Sequence, residues 1–160
     1  MPKNLLIPNP RAVLLAVLLV LVCSGASSAQ SDTEQVKAAI DAYHAAIGSL
    51  DIAKMAPLWV HDANIMLINP RDKSISVGWD AVQKNWEATF NNNSEIKVTQ
   101  AEGPHIVVKG NIAWSTGIAN AVGKLKSGAA INAPTFETDV FEKSGATWLL
   151  VSHTGLRVAQ

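Results

Sequence analysis

The sequence predicts an α+β domain in which three helices of the N-terminal half cover one face of a curved antiparallel sheet. Two observations predict this class: apolar residues recur at helical spacing in the first half of the domain, and four long runs rich in branched residues fill the second half. Turns that contain glycine separate those four runs, as hairpins would. Strands joined by hairpins after a helical half are typical of the α+β class.

The first helix is predicted over Thr33–Ile47, where apolar residues recur every three or four positions. Asp32 or Thr33 can cap its start, and Gly48 is expected to end it. A second, shorter helix is expected to open at Asp51 and to close before His61. Two helices therefore lead the domain.

Two short strands and a third helix follow. The first strand is predicted over Ala63–Ile68, where Asn69 and Pro70 stop it, and the second near Ile75–Val77, where Gly78 breaks the pattern. Helical spacing resumes over Trp79–Phe90.

The four long strands complete the predicted order. They cover about Glu95–Val108, Ile112–Leu125, Ala130–Lys143 and Thr147–Val158. The sequence shows neither an internal repeat nor a low-complexity linker. One face of the resulting sheet should enclose a pocket beneath the helices.

Residues 1–29 have the pattern of a secretory signal peptide. The apolar run Ala12–Val22 follows Lys3 and Arg11, and small residues that end at Ala29 come after it. A membrane-spanning helix needs roughly 20 apolar residues, and this run is little more than half as long. We therefore expect export to the periplasm or the medium and a mature domain over residues 30–160. Lipid attachment at Cys23 and an uncleaved anchor are the alternatives.

The composition of the mature domain excludes several classes of partner and site. It holds eleven Lys and Arg against thirteen Asp and Glu, spread without blocks, so neither nucleic acid nor a membrane surface is an expected partner. The only cysteine, Cys23, lies in the leader, so the domain has no disulfide and no thiol. The four histidines lack the spacing of a ligand set, and no phosphate-binding loop is present. We expect no metal and no cofactor.

Several short segments resemble the SnoaL-like branch of the nuclear-transport-factor-two-like superfamily, which includes the ketosteroid isomerases. The resemblance runs from about Val36 to Val158. The segments that carry it are Leu50-Asp51-Ile52, His61-Asp62-Ala63, Gly78, Gly110-Asn111-Ile112-Ala113-Trp114, Thr138-Asp139-Val140-Phe141 and Trp148 to Thr154. The resemblance implies a cone-shaped fold whose wide end opens a pocket, and frequent dimerisation through the outer sheet face. Members include isomerases, cyclases, dehydratases and a kinase assembly domain, so the fold does not choose an activity.

Ketosteroid isomerases use a tyrosine on the first helix, an aspartate near the end of the first strand and a protonated aspartic acid on a late strand. Tyr43 matches the tyrosine in this comparison. The position of the base falls at Leu67, or at Asn69 after a shift of two residues, and the acidic donor falls near Phe136. Because two of the three groups are absent, the resemblance does not carry over that reaction.

Strand alternation predicts the pocket lining independently. We take the larger side chains as inward-facing, because their neighbours on the second long strand are uniformly small. The predicted inward set is Trp114, Thr116, Ile118, Asn120, Phe136, Thr138, Val140, Trp148, Leu150, Ser152 and Thr154. Glu137 and Asp139 then face outward. Such a lining suits an uncharged, mostly apolar small molecule that makes a few hydrogen bonds.

The remaining candidates combine aromatic and ionisable side chains. Trp86 projects from the third helix toward Tyr43, so Trp86 and Trp114 are the predicted pocket aromatics. His153 can act as a base only if it points inward, and Asp139 becomes the leading acid or base if the alternation is opposite to the one chosen.

Three functions remain open from the sequence. The first is an exported domain that forms a homodimer and binds a small, mostly apolar molecule. The second is an enzyme of the isomerase, cyclase or dehydratase type, which uses Tyr43 with His153 or Asp139. The third is a non-catalytic dimerisation module. An open cone with Tyr43 near an ionisable group would favour catalysis, and a filled cone would favour assembly.

Overall fold

The computed structural model describes residues 30–159. Three α-helices and six strands form the domain, with a short 3₁₀ turn at Ala56–Leu58 after the second helix. The helices are α1 Asp32–Ser49, α2 Ile52–Met55 and α3 Trp79–Asn92. The strands are β1 Met66–Ile68, β2 Ser76–Val77, β3 Asn93–Lys109, β4 Ile112–Leu125, β5 Ala130–Ser144 and β6 Thr147–Arg157. The expected leader, residues 1–29, lies outside the described residues.

The predicted α+β class and cone-shaped arrangement are confirmed. The strands form one six-stranded sheet in the order β2-β1-β6-β5-β4-β3, which is not closed into a barrel. Neighbouring strands are antiparallel except for β1 and β6, which pair in parallel, so the sheet is mixed rather than wholly antiparallel. Among residues 30–159, no helix is long and apolar enough to cross a membrane.

The ends of α1 differ from the prediction. Ser31, rather than Asp32 or Thr33, caps the start: its hydroxyl accepts from the Glu34 N–H, while the Glu34 side chain accepts from the Ser31 N–H. The helix continues through Gly48, and the residue that takes the left-handed conformation after it is Leu50, with φ of 53°. The residue that stops the helix is therefore not the glycine.

The core lies between the helices and the concave face of the sheet. Helix α1 contributes Val36, Ile40 and Tyr43 to it, and α3 contributes Val82, Trp86 and Phe90. The large core side chains that face β4 thus come mainly from the helices. The sheet residues that face them along the middle of β4 are small, namely Ala113, Ser115 and Ala119.

The predicted alternation of β4 and β5 is wrong. Ser115, Glu137 and Asp139 are buried on the concave face, whereas Trp114 is 40% exposed and Phe136 is 50% exposed on the outer face. The predicted lining residues Thr116, Asn120 and Thr138 share that outer face. The small set faces inward because bulky helix residues and a cavity already occupy the space beneath the sheet.

The alternation of β6 is right at its start and wrong at its end. Trp148 and Leu150 are buried, as predicted. A register shift then leaves Val151 without a partner, because Phe141 pairs with Leu150 and Val140 pairs with Ser152. This bulge reverses which residues point inward. His153 and Gly155 are consequently buried, and the predicted lining residues Ser152 and Thr154 turn to the other face, half-buried.

Candidate functional site

A cavity of about 340 Å³ opens between α3, the concave face of the sheet and the turn after β1. One wall is apolar and is formed by Ile47, Trp86, Ile96, Val98, Ala119, Ala121, Ile131 and Ala133. Polar side chains collect elsewhere in the lining, including Asn69, Asp72, Asn85, Thr135, Glu137 and His153. An apolar cavity with a few convergent polar groups is the usual form of a small-molecule site.

His153 is a buried histidine that lines this cavity. Its Nδ1 lies 2.7 Å from Asp139 Oδ1, and both side chains are only 3% exposed. Asp139 Oδ2 accepts a hydrogen bond of 3.2 Å from the Ser115 hydroxyl. A carboxylate at Nδ1 holds the proton on that nitrogen in the neutral ring, which leaves the lone pair on Nε2. Nε2 makes no hydrogen bond to any residue in the range 30–159.

The pKa of His153 is set by two opposing causes. Burial lowers it, and the hydrogen bond and charge of Asp139, with the charges of Glu137 and Asp72, outweigh burial and raise the pKa above its ordinary value. The imidazole therefore keeps its proton to higher pH than an ordinary histidine does.

Tyr43 lies against the same histidine. The two ring centroids are 5.0 Å apart, and the ring of Trp86 meets Tyr43 edge-on at 5.7 Å. Burial, followed by the charges of Asp139, Glu137 and Asp72, raises the pKa of Tyr43 well above its ordinary value, so the hydroxyl stays protonated. Tyr43 packs behind His153 and Trp86 rather than in the cavity lining itself.

Three buried polar atoms at this site have no hydrogen-bond partner among the described residues. They are the Tyr43 hydroxyl, Trp86 Nε1 and Asn93 Oδ1, and Trp86 and Asn93 line the cavity. Leaving such atoms unpaired costs about 1–3 kcal/mol each, so native proteins usually satisfy them. A bound molecule or water with matching polar groups would do so at Trp86 and Asn93, the two residues of this set that line the cavity.

A second histidine–carboxylate pair adjoins the first. Glu137 lines the cavity, and its Oε2 lies 2.9 Å from His44 Nε2 on α1. Both residues are buried, at 8% and 6% exposure. Glu137 pairs with Gly117 on β4 and with Gly155 on β6. Because glycine has no side chain, neither paired residue places a side chain beside the Glu137 carboxylate.

The structure therefore separates the predicted site residues into two groups. Tyr43, Trp86, Asp139 and His153 come together on the concave side, and their roles in binding or catalysis stay predictions. Trp114, Thr116, Asn120, Phe136, Thr138, Ser152 and Thr154 belong to the opposite face of the sheet. Within residues 30–159, no three His, Cys, Asp or Glu side chains are arranged to hold a metal ion.

Sequence reasoning missed Glu137 and His44 as site residues. A signal was present, because Glu137 and Asp139 alternate on a strand whose other neighbours are mostly apolar or hydroxyl-bearing. Two carboxylates on one face of a strand indicate a site only when hydrogen-bond partners such as His44 and His153 lie beside them. His44 comes from α1, 93 residues before Glu137, and His153 comes from the neighbouring strand β6, 14 residues after Asp139.

Solved structures similar to this chain share its fold. A proposed dehydratase of the NTF2-like family from Streptomyces avermitilis is 21% identical with a TM-score of 0.73, and the match covers 81% of this chain and 98% of that one. An NTF2-like superfamily protein from Salmonella enterica is 19% identical with a TM-score of 0.73, over 80% and 92% of the two chains. A ketosteroid isomerase-like protein from Erwinia carotovora is 18% identical with a TM-score of 0.68, over 82% and 99%.

These identities establish the common fold and leave the activity open. No curated protein matches the sequence. The family model of the SnoaL-like domain matches residues 36–155, which is most of the chain and includes Tyr43, Glu137, Asp139 and His153. The chain therefore belongs to the SnoaL-like domain family.

Proposed function

We propose that this protein binds a small, mostly apolar molecule in its cone cavity and catalyses a proton transfer on it, as isomerases, cyclases and dehydratases do. The observation that carries the proposal is the buried His153–Asp139 pair, whose histidine lines the cavity. Two similar structures, a proposed dehydratase and a ketosteroid isomerase-like protein, make this class of reaction a reasonable one to test.

In this proposal His153 takes or gives the proton through Nε2. Asp139 fixes the tautomer and orients the ring, and Ser115 holds Asp139 in turn. Buried carboxylate–histidine pairs are costly to desolvate, so packing alone gives little reason to keep one beneath an apolar wall. A general base correctly placed contributes about 10²–10⁴-fold to a rate.

Tyr43 and Glu137 are the supporting groups. Tyr43 would support the position of His153, since its ring packs against the imidazole behind the cavity lining. Glu137 would serve as a second proton carrier, since it lines the same cavity and is held by His44. Two carriers on one cavity suit reactions that remove a proton at one atom and return it at another.

The test uses a probe whose reaction needs only a base in an apolar site. In 5-nitrobenzisoxazole, removal of the carbon-bound proton breaks the N–O bond and releases 2-cyano-4-nitrophenolate, which is followed by absorbance. We expect the wild type to accelerate this reaction, with a rate that rises with pH as His153 loses its proton. His153→Ala should abolish the acceleration, and Asp139→Asn should lower it about 10-fold or more.

His105→Ala is the matched control, because His105 is an exposed histidine on β3. It should react like the wild type. A wild-type rate in the His153→Ala protein would contradict the proposed role. No acceleration by the wild type, together with binding of an apolar molecule in the cavity, would leave ligand binding without turnover as the function.

We also propose that the protein is a homodimer built on the outer face of the sheet. Trp114, Phe136 and Leu156 are 40%, 50% and 57% exposed there, and Phe136 pairs directly with Leu156. Soluble monomers seldom expose large contiguous apolar patches. Trp114→Glu with Phe136→Glu should yield a monomer by sedimentation velocity, whereas Ala38→Glu on the exposed side of α1 should leave the dimer intact. A monomeric wild type would refute the proposal.

We also propose that the protein is exported. The support for this proposal is the sequence pattern of residues 1–29 alone. N-terminal sequencing of protein from the periplasm or medium of a bacterial host should give a start near Gln30. A product that retains Met1 in the cytoplasm would contradict it.

A further inference from the structure

The mouth of the cavity carries two arginines that the proposed reaction does not use. Arg71 and Arg157 both line the cavity and both are exposed. The topology brings them to the same end of two neighbouring strands, since β1 and β6 run parallel with Ile68 opposite Thr154. Arg71 lies in the turn three residues after Ile68, and Arg157 ends β6 three residues after Thr154. The two segments stay in contact beyond the pairing, since a Cβ on Gly155 would lie 3.1 Å from Pro70 Cδ.

Neither guanidinium has an ionic partner within residues 30–159. The two carboxylates that line the cavity are engaged elsewhere. Asp72 Oδ2 accepts from the Asn69 N–H at 2.8 Å and from Asn85 Nδ2 at 2.9 Å. Glu137 is bound to His44. The positive charge at the mouth is therefore left without a contacting counter-charge in the lining.

These two arginines differ from ordinary exposed arginines because they line an apolar cavity. The cavity wall beside the two arginines is apolar and includes Trp86, Ile131 and Ala133. Guanidinium groups bind carboxylates through paired, parallel hydrogen bonds, which lysine cannot reproduce. Such a cavity complements a molecule with one charged end and an apolar body.

We propose that the ligand of this cavity is an amphipathic anion, with a carboxylate held by Arg71 and Arg157 at the mouth and an apolar body along the Trp86 wall. The inference rests on the proposed function in one respect, since both place the ligand in the same cavity. It differs from the uncharged ligand expected from the sequence.

The experiment compares two fluorescent probes that share one apolar body. 8-Anilinonaphthalene-1-sulfonate carries an anionic group in place of the carboxylate, and N-phenyl-1-naphthylamine is the same body without it. We expect the wild type to bind the anionic probe about 10-fold more tightly at low salt, and the preference to shrink as salt screens the arginines. Arg71→Gln with Arg157→Gln should remove the preference and leave the neutral probe unchanged.

Two further variants separate the outcomes. Lys73→Gln with Lys124→Gln changes the net charge equally at exposed positions outside the cavity lining and should keep the preference. Trp86→Ala should weaken both probes, because both use the cavity wall. If the lysine pair removes the preference as well as the arginine pair does, general charge is the cause and the inference is overturned.

Equal binding of the two probes by the wild type, with weakening of both in Trp86→Ala, would overturn the anionic ligand and leave cavity binding standing. Binding of both probes that Trp86→Ala does not change would overturn the inference and count against the cavity as the ligand site. The proton-transfer role of His153 is judged separately by the benzisoxazole reaction, so the two proposals can fail independently.

Discussion

Asp139→Asn should change how the stability of this protein depends on pH. The substitution keeps the size of the side chain at the buried His153 contact of 2.7 Å and removes its charge. In the wild type, the pKa of His153 is raised in the folded state. The protonated histidine therefore stabilises the fold fully below its unfolded-state pKa of about 6.5, and this contribution is lost as pH rises through the folded-state pKa.

The variant should show the opposite trend. Burial, the largest single influence on the pKa of His153, lowers it, and without the Asp139 charge only the weaker charges of Glu137 and Asp72 oppose burial. The folded-state pKa should then fall to or below the unfolded value, so the variant loses stability as pH falls below about 6.5. The two unfolding free energies should diverge toward acid pH, at up to about 1.4 kcal/mol per pH unit.

Urea unfolding at constant ionic strength from pH 5 to pH 9 measures this difference. We expect Asp139→Asn to cost about 1–3 kcal/mol at alkaline pH, from the weakened buried hydrogen bond, and about 1–3 kcal/mol more near pH 5.5. Glu142→Gln removes an exposed carboxylate from the same strand and should give a difference that stays flat with pH. A flat difference for Asp139→Asn as well would refute the proton-binding role assigned to the pair.

Three other substitutions test the cavity, the sheet and the helix start. Ala119→Leu should fill part of the 340 Å³ cavity and abolish binding of both naphthyl probes, with a loss of less than about 1 kcal/mol in the free energy of unfolding. Gly123→Ala should destabilise by about 1–3 kcal/mol in urea unfolding, because the new Cβ would lie 2.2 Å from the Glu95 carbonyl oxygen. Ser31→Ala removes the hydroxyl that caps Glu34 and should lower the unfolding free energy by about 1 kcal/mol; no loss would show that the cap is not formed in solution.

Local sequence patterns were sufficient to predict the elements of this domain. The strand predicted over Ile112–Leu125 has those bounds in the structure, and the helix predicted over Thr33–Ile47 gains only three residues, one before it and two after. Such elements depend on periodicity, and their limits depend on nearby turn residues. The segments that resemble the SnoaL-like family predicted the family for the same reason, because each is only a few consecutive residues long.

The candidate site was only partly predictable. Tyr43 and Trp86 were placed together because each projects from one face of its own helix. The sequence also indicates Asp139 and His153 as acid or base candidates, but the predicted alternation turns Asp139 away from the pocket. Their contact joins two strands, and a bulge at Val151 decides that His153 faces inward.

The sequence by itself determined which segments are helices and strands, their order and the family, because those properties arise from neighbours along the chain. Only the tertiary structure decided which face of the sheet is concave, since both alternating sets of β4 and β5 are acceptable on a strand. The choice depends on volume: Tyr43 and Trp86 enter from the helices, so the sheet presents small residues and carboxylates to them while Trp114 and Phe136 face outward.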